Sequence, residues 1–263
     1  MCMTTPFQPA QSIDEVIVRL DAIIDRAFKD RDRLGFFAVL YRTVTAAVKE
    51  GIAAGRFDDG PRMERLDVVF ANRYLEAFHA HQSGGTPTAS WRAAFAVGKS
   101  ARAVILQHLL LGMNAHINLD LAIAAAEVCP GASIAGLEHD FNQINTVLAS
   151  LETGVEQEVC SLSPWIDRLD HIHPTAGRVV ANFSIDRARD HSWSVAQRLA
   201  ELTDDDRAAE ITSIDDNVAL LGRLIERPIG VLINVNLILV RLRETWDTRK
   251  IIRTLGGKQR PVS

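Results

Sequence analysis

The sequence predicts an all-α protein, a single-domain bundle of about eight or nine helices around a central apolar helix. Three observations predict it. Apolar residues recur at intervals of three and four along most of the 263-residue chain, no segment alternates apolar and polar residues convincingly, and no repeat of fixed length appears. The helical domain is expected over 12–255, with a flexible N-terminus at 1–11 and a flexible tail at 256–263.

With 47% hydrophobic and 24% charged residues, the chain can fill a sizeable core. Its net charge of -4 comes from interspersed acids and bases, which leaves no basic face to neutralise phosphates and argues against nucleic acid as a partner. The first residues, MCMTTPFQPAQSIDEV, have no basic patch followed by an apolar run, so a cytoplasmic location is expected. The three cysteines, Cys2, Cys129 and Cys160, have no CxxC spacing, which argues against a disulfide framework and a thiolate zinc site.

The elements follow in order. Ser12 and Glu15 have the spacing of a capping box and start a first helix whose stripe is Ile13, Val16, Ile17, Leu20, Ile23, Ile24 and Phe28. A second helix lies in FFAVLYRTVTAAVKEGIAAG. After Asp-Asp-Gly-Pro at 58–61 a third begins, with Pro61 suited to its first turn. SGGTPT at 83–88 is a loop, and a short helix surrounds Trp91. Beyond CPGAS, a helix carries Leu137, Phe141, Ile144, Leu148, Leu151 and Val155 on one stripe. Pro164 and Pro174 bracket an irregular stretch. Three more helices are expected at about 178–202, 205–226 and 230–253.

Between Arg102 and Glu127 runs AVILQHLLLGMNAHINLDLAIAAA, whose only formal charge is Asp120. A membrane span here would place Asp120, His108, Asn114, His116 and Asn118 in hydrocarbon, at about 2.5–3.5 kcal/mol for the aspartate alone. A central helix covered on all sides by protein is the better account, and its polar groups must then find partners inside.

At about 100° per residue, His108, Gly112, His116 and Asp120 share one sector, and Asn114 and Asn118 another. His116 and Asp120, one turn apart, can pair or converge on a metal ion. Gly112 gives close backbone approach or room for a ligand, at a helical cost of about 1 kcal/mol. On the third helix Leu66, Phe70, Arg73 and Ala77 share a stripe, so Arg73 should point inward beside Tyr74 and require an anion, either Asp120 or a substrate group. In RVVANFSIDRARDHSWSVAQRL, Val180, Phe183, Arg187 and His191 share a sector, a second polar line that either faces the interior, where Arg187 and His191 bind an anion or orient an acid and base, or forms a partly exposed salt-bridged face. Asp140 of His139-Asp140 borders an apolar stripe while His139 points elsewhere, so this dipeptide is not read as a metal motif. Thr203-Asp-Asp-Asp206 is read as a helix N-cap.

The string LLGMNAHINLDL, with LDVVFANRYLEAF and WRAAF upstream, resembles an uncharacterised family of bacterial all-α proteins marked by a GMNAHIN-x-DL segment. The likeness runs from about Phe36 to about Leu224. It implies one helical domain, places His116, Asn118 and Asp120 in the family signature, and supplies no activity.

The functional expectation is a small-molecule enzyme. His116, Asp120, Arg73 and His191 are its catalytic candidates, and Tyr74, Asn114, Asn118 and Arg187 would contact a largely apolar substrate. His108, His116 and Asp120 are candidate ligands for one divalent metal ion serving hydrolysis or oxidation. Two alternatives stand beside it: metal-free acid and base chemistry of a lyase or cyclase, and a noncatalytic hydrophobic-ligand-binding or interaction protein whose buried polar network fixes helix register.

Overall fold

A computed structural model of the chain describes residues 6–163, 165 and 185–257. Among the described residues there are ten helices and no strand: α1 (Ile13–Asp30), α2 (Gly35–Ala53), α3 (Gly60–Ser83), α4 (Ala89–Val97), α5 (Ile105–Val128), α6 (Glu138–Leu162), α7 (Ile185–Glu201), α8 (Asp204–Glu226), α9 (Val231–Arg243) and α10 (Thr248–Leu255). A short 3-10 helix, Gly131–Leu137, leads into α6. The count exceeds the sequence expectation because the last expected helix is two. Glu244 leaves the helical path, and Asp247 starts α10 by accepting from the amides of Arg249 and Lys250.

The starts read from sequence are built as expected. Ser12 accepts from the Glu15 amide, Asp59 from Arg62, and Thr203 from Asp206. Residues 6–10 depart from the expected loose arm. The Ala10 backbone forms a double hydrogen bond with the Asn72 side chain, at 2.7 and 2.9 Å, and Phe7 packs against His79.

Helix α5 is the axis of the bundle, touched by α2, α3, α4, α7 and α8. It is long and apolar enough to cross a membrane, and 89% of its most apolar window is buried inside the protein. Leu109, Leu111 and Leu119 of α5 and Phe36, Tyr74 and Trp91 of its neighbours are almost wholly buried, each burial favourable by about 1.5–3 kcal/mol for an aliphatic or phenyl side chain.

Three carboxylates on later elements close the open N-terminal ends of earlier helices. Asp140 accepts from the amides of Asp58 and Asp59 before α3, Asp215 from Ala89 and Ser90 at α4, and Glu244 from Ile105 at α5. These long-range caps fix how the helices stand around α5.

Candidate active site

Within α5, residues His116–Leu121 form a π-helical segment. Such wide turns are rare, and they are frequent at functional sites. No proline or glycine occurs in HINLDL to explain it locally. On the side of α5 that faces α2, α3 and α4, the segment presents His116 and Asp120, both nearly fully buried.

Asp120 accepts three hydrogen bonds. Arg73 Nε donates to Oδ1 at 3.1 Å, Trp91 Nε1 to Oδ2 at 2.8 Å, and His116 Nδ1 lies 3.1 Å from Oδ2. A carboxylate taking three donors leaves the His116 proton on Nδ1 and the lone pair on Nε2. That Nε2 is buried and has no partner among the described residues. Burial holds the imidazole below its usual pKa, opposed by the hydrogen bond to Asp120, so His116 is a neutral base at neutral pH.

Aromatic rings wall the imidazole. Phe70 stacks on it with centroids 3.6 Å apart, and Tyr41 meets it edge-on at 4.3 Å. Phe37, Tyr74 and Trp91 complete the cage. Phe70 and Arg73 are only half-buried and form its outer side. Arg73 engages Asp120 through Nε and keeps about a quarter of its side chain exposed.

Sequence reasoning missed four neighbours. Trp91 has no role in the sequence reading beyond the short helix around it. Tyr41 and Thr45 on α2 and Asp67 on α3 are buried; the two hydroxyls lie one turn apart and interact with each other, and Asp67 Oδ2 has no hydrogen-bond partner among the described residues. Burial, reinforced by Glu64, pushes the Asp67 carboxyl up to about 8. Burial and then the charge of Asp67 raise the Tyr41 phenol. The signal was present in the spacing, since Met63, Asp67, Ala71 and Tyr74 continue one stripe of α3 and Phe37, Tyr41, Thr45 and Val48 one stripe of α2.

The expected metal set does not assemble. His108 lies two turns before His116, about 12 Å along the axis by helical rise. It packs edge-on against Phe36 and lines a void of about 20 Å³ with Arg33, Phe37, Tyr74, Trp91 and Gly112, room for about one water. Burial first, then Arg33 and Arg241, lower its pKa to about 3. Asp120, occupied by an arginine, an indole and an imidazole N–H, also does not fit a divalent cation. Among the described residues, Asp58, His139 and Asp140 come close enough to share a cation. Both Asp140 oxygens, however, take backbone amides, and Arg62 lies 2.7 Å away.

Arg187 and His191 are exposed on α7 and do not face the interior. The buried stripe is Ala188, Arg189, Ser192, Trp193, Val195, Ala196 and Leu199, with Arg189 donating to Asn145 and the Phe141 carbonyl. The part of the expected helix before Ile185 lies outside the described residues. Asn114 and Asn118 face α8. Asn114 donates to the Val218 carbonyl at 2.9 Å and accepts from Asn118 at 3.0 Å, a closed network that sets register. Tyr74 is buried beside Trp91, where burial raises its phenol pKa. Gly112 makes room for a ring of the protein itself, since a Cβ there would sit 2.4 Å from Phe37.

A family of unknown function, DUF5995, matches residues 13–228. The chain belongs to this family. The match holds every residue of the His116 and Asp120 centre and extends the likeness read from GMNAHIN-x-DL toward both ends of the chain. No curated protein and no solved structure matches the chain.

Proposed function

We propose that this DUF5995 protein is a metal-free acid–base enzyme for a small, largely apolar molecule, with His116 as the general base and Asp120 as its orienting partner. The observation that carries this reading is the unpartnered Nε2 of a neutral imidazole whose Nδ1 is tied to a carboxylate held from two other helices. A network kept only for stability would satisfy both nitrogens, since buried polar groups are as a rule hydrogen-bonded. The π-helical turn at the same residues supports the reading. Arg73, at the half-exposed edge, would bind a polar or anionic group of the substrate, and the aromatic cage its apolar body.

The closed cage favours a second reading, a noncatalytic helical protein in which His116 is core. The two are separated by treating the protein with an aromatic bromomethyl ketone and mapping alkylated histidines by mass spectrometry. A base poised for apolar ligands is alkylated in preference to the exposed His139 and His191. Labelling of those two with His116 untouched in the folded protein would sink the enzyme reading.

A further inference from the structure

Helix α9 has the sequence VLINVNLILVRLR, without a charge before its last turn. A helix apolar around its whole circumference belongs inside a core. Only one side of α9 is there: Leu237 and Val240 pack with Val104 just before α5, and Arg241 donates to the Ala101 carbonyl. Val235, Ile238, Leu239 and Leu242, spaced as neighbours on the opposite side, are 42–64% exposed. Ile229 just before the helix is 82% exposed, and Trp246 just after it 56%. Apolar side chains gathered this densely are unlike the single exposed ones of an ordinary surface, and they mark an interaction site.

Charge says what covers them. Between Arg227 and Arg253 the chain carries six cations against two acids, a net +4 in a protein whose net charge is -4. One of the two acids, Glu244, is buried against Arg241 and the Ile105 amide. Arg227, Arg243, Lys250 and Arg253 are exposed, and Asp247 is the one exposed acid of this stretch. An apolar stripe flanked by arginine and lysine, with a tryptophan at its end, has the composition of a segment that lies in a bilayer interface. A second copy of the chain is the poorer occupant, because two-fold pairing of this surface would set one cationic face against another.

We propose that α9 and its flanks dock this protein on an anionic lipid bilayer. The stripe Val235, Ile238, Leu239 and Leu242 lies in the headgroup layer with the helix axis along the membrane plane, and the flanking cations pair with lipid phosphates. The 13 residues of α9 rise about 20 Å, short of the roughly 30 Å hydrocarbon core, so the helix lies on the membrane and does not span it. Arg241 sits over the Trp246 ring at 3.9 Å, which fixes the indole at the end of the stripe. His116 is about 16 Å further along α5 than the end on which α9 rests, and docking is independent of any role of that histidine.

Co-sedimentation of the full chain with vesicles of phosphatidylcholine alone, or of phosphatidylcholine and phosphatidylglycerol at about three to one, tests this. Binding to the anionic vesicles should be about tenfold tighter or more, and should weaken as salt is raised to about 0.5 M. It should shift tryptophan emission to the blue, a shift that Trp246→Phe removes. Ile238→Asn and Leu242→Asn together should weaken binding by about tenfold or more, and Arg243→Glu by about fivefold or more. All three positions are exposed, so these variants should fold, which circular dichroism checks. Absence of binding to the anionic vesicles would overturn the proposal, as would binding that the two asparagine substitutions leave at the wild-type level. A dimer of the free protein that Leu242→Asn dissolves would overturn it too, and would assign the stripe to a second copy.

Discussion

Trp91 Nε1 and His116 Nδ1 meet on one oxygen, Oδ2 of Asp120, at 2.8 and 3.1 Å. The indole thereby fixes the carboxylate from α4 while the imidazole uses it from α5. Trp91→Phe keeps most of the apolar volume and removes one buried donor to a charged acceptor, so folding stability should fall by about 2 kcal/mol. The His116 tautomer should become mixed, because the carboxylate that selects it is less constrained. Urea titration reads the first effect and nitrogen NMR the second. An unchanged tautomer would mean that Arg73 alone positions Asp120.

Two glycines in tightly packed helices should respond with opposite sign to the same change. At Gly112 an added methyl meets the Phe37 ring at 2.4–3.0 Å, contacts that require the ring to move. Overpacking of this kind costs about 1–3 kcal/mol, more than the roughly 1 kcal/mol that alanine gains in helix propensity, so Gly112→Ala should lower the melting temperature. At Gly222 the nearest atom is 3.4 Å away, an ordinary contact, and Gly222→Ala should be neutral or stabilising by up to about 1 kcal/mol. Thermal melts of the pair decide it, and a stabilised Gly112→Ala would show that Phe37 is not held where the cage needs it.

Local features were legible in the chain and relative rotations were not. The helices, the caps at Ser12 and Thr203, the start of α3 at Pro61, and the one-turn pairing of His116 with Asp120 all follow from spacing within a single segment. The inward pull on Arg73 was legible too, because an arginine on an apolar stripe must find an anion. The phase of α7 was left open because its buried side begins with Ala188, Arg189 and Ser192, a cation between two small residues with little hydropathy signal, and the buried cation is Arg189 in place of Arg187. Trp91, Tyr41 and Asp67 stayed hidden as site residues because nothing in a helix records which neighbour its stripe will meet. The long-range carboxylate caps that decide this join residues 81 to 139 positions apart.

Glu244 tests the importance of those caps. Its two oxygens lie 3.1 Å from the Ile105 amide, it accepts from Ser163, and it is the ion-pair partner of the nearly buried Arg241 at 3.5 Å. Glu244→Ala uncovers the first turn of the central helix and leaves Arg241 uncompensated, an expected loss of about 3–5 kcal/mol. Glu244→Gln keeps an acceptor for the amide and should lose less than half as much. Denaturant unfolding of the two variants distinguishes a capping role, in which Gln rescues, from a purely ionic one, in which it does not.

Asp67 and His108 make opposite demands on pH. The folded chain keeps a proton on Asp67 up to about pH 8, whereas the unfolded carboxyl, with its ordinary value of 3.8, has already lost it. The stability from this group is therefore complete below the unfolded value and lost as pH rises through about 8, by at most about 1.4 kcal/mol per pH unit. His108, lowered from 6.5 to about 3, stays neutral in the folded state while the unfolded imidazole protonates, so its contribution is present above 6.5 and lost as pH falls toward 3. His116 acts in the same direction as His108. Together they place maximal stability close to neutral pH, with an acid slope set by the histidines and an alkaline slope set by Asp67. Asp67→Asn should abolish the alkaline slope and extend the plateau toward about pH 8, a difference that unfolding titrations at about pH 5, 6.5 and 8 would resolve. A wild type that grows more stable between the last two values would show that Asp67 is ionised in the folded chain.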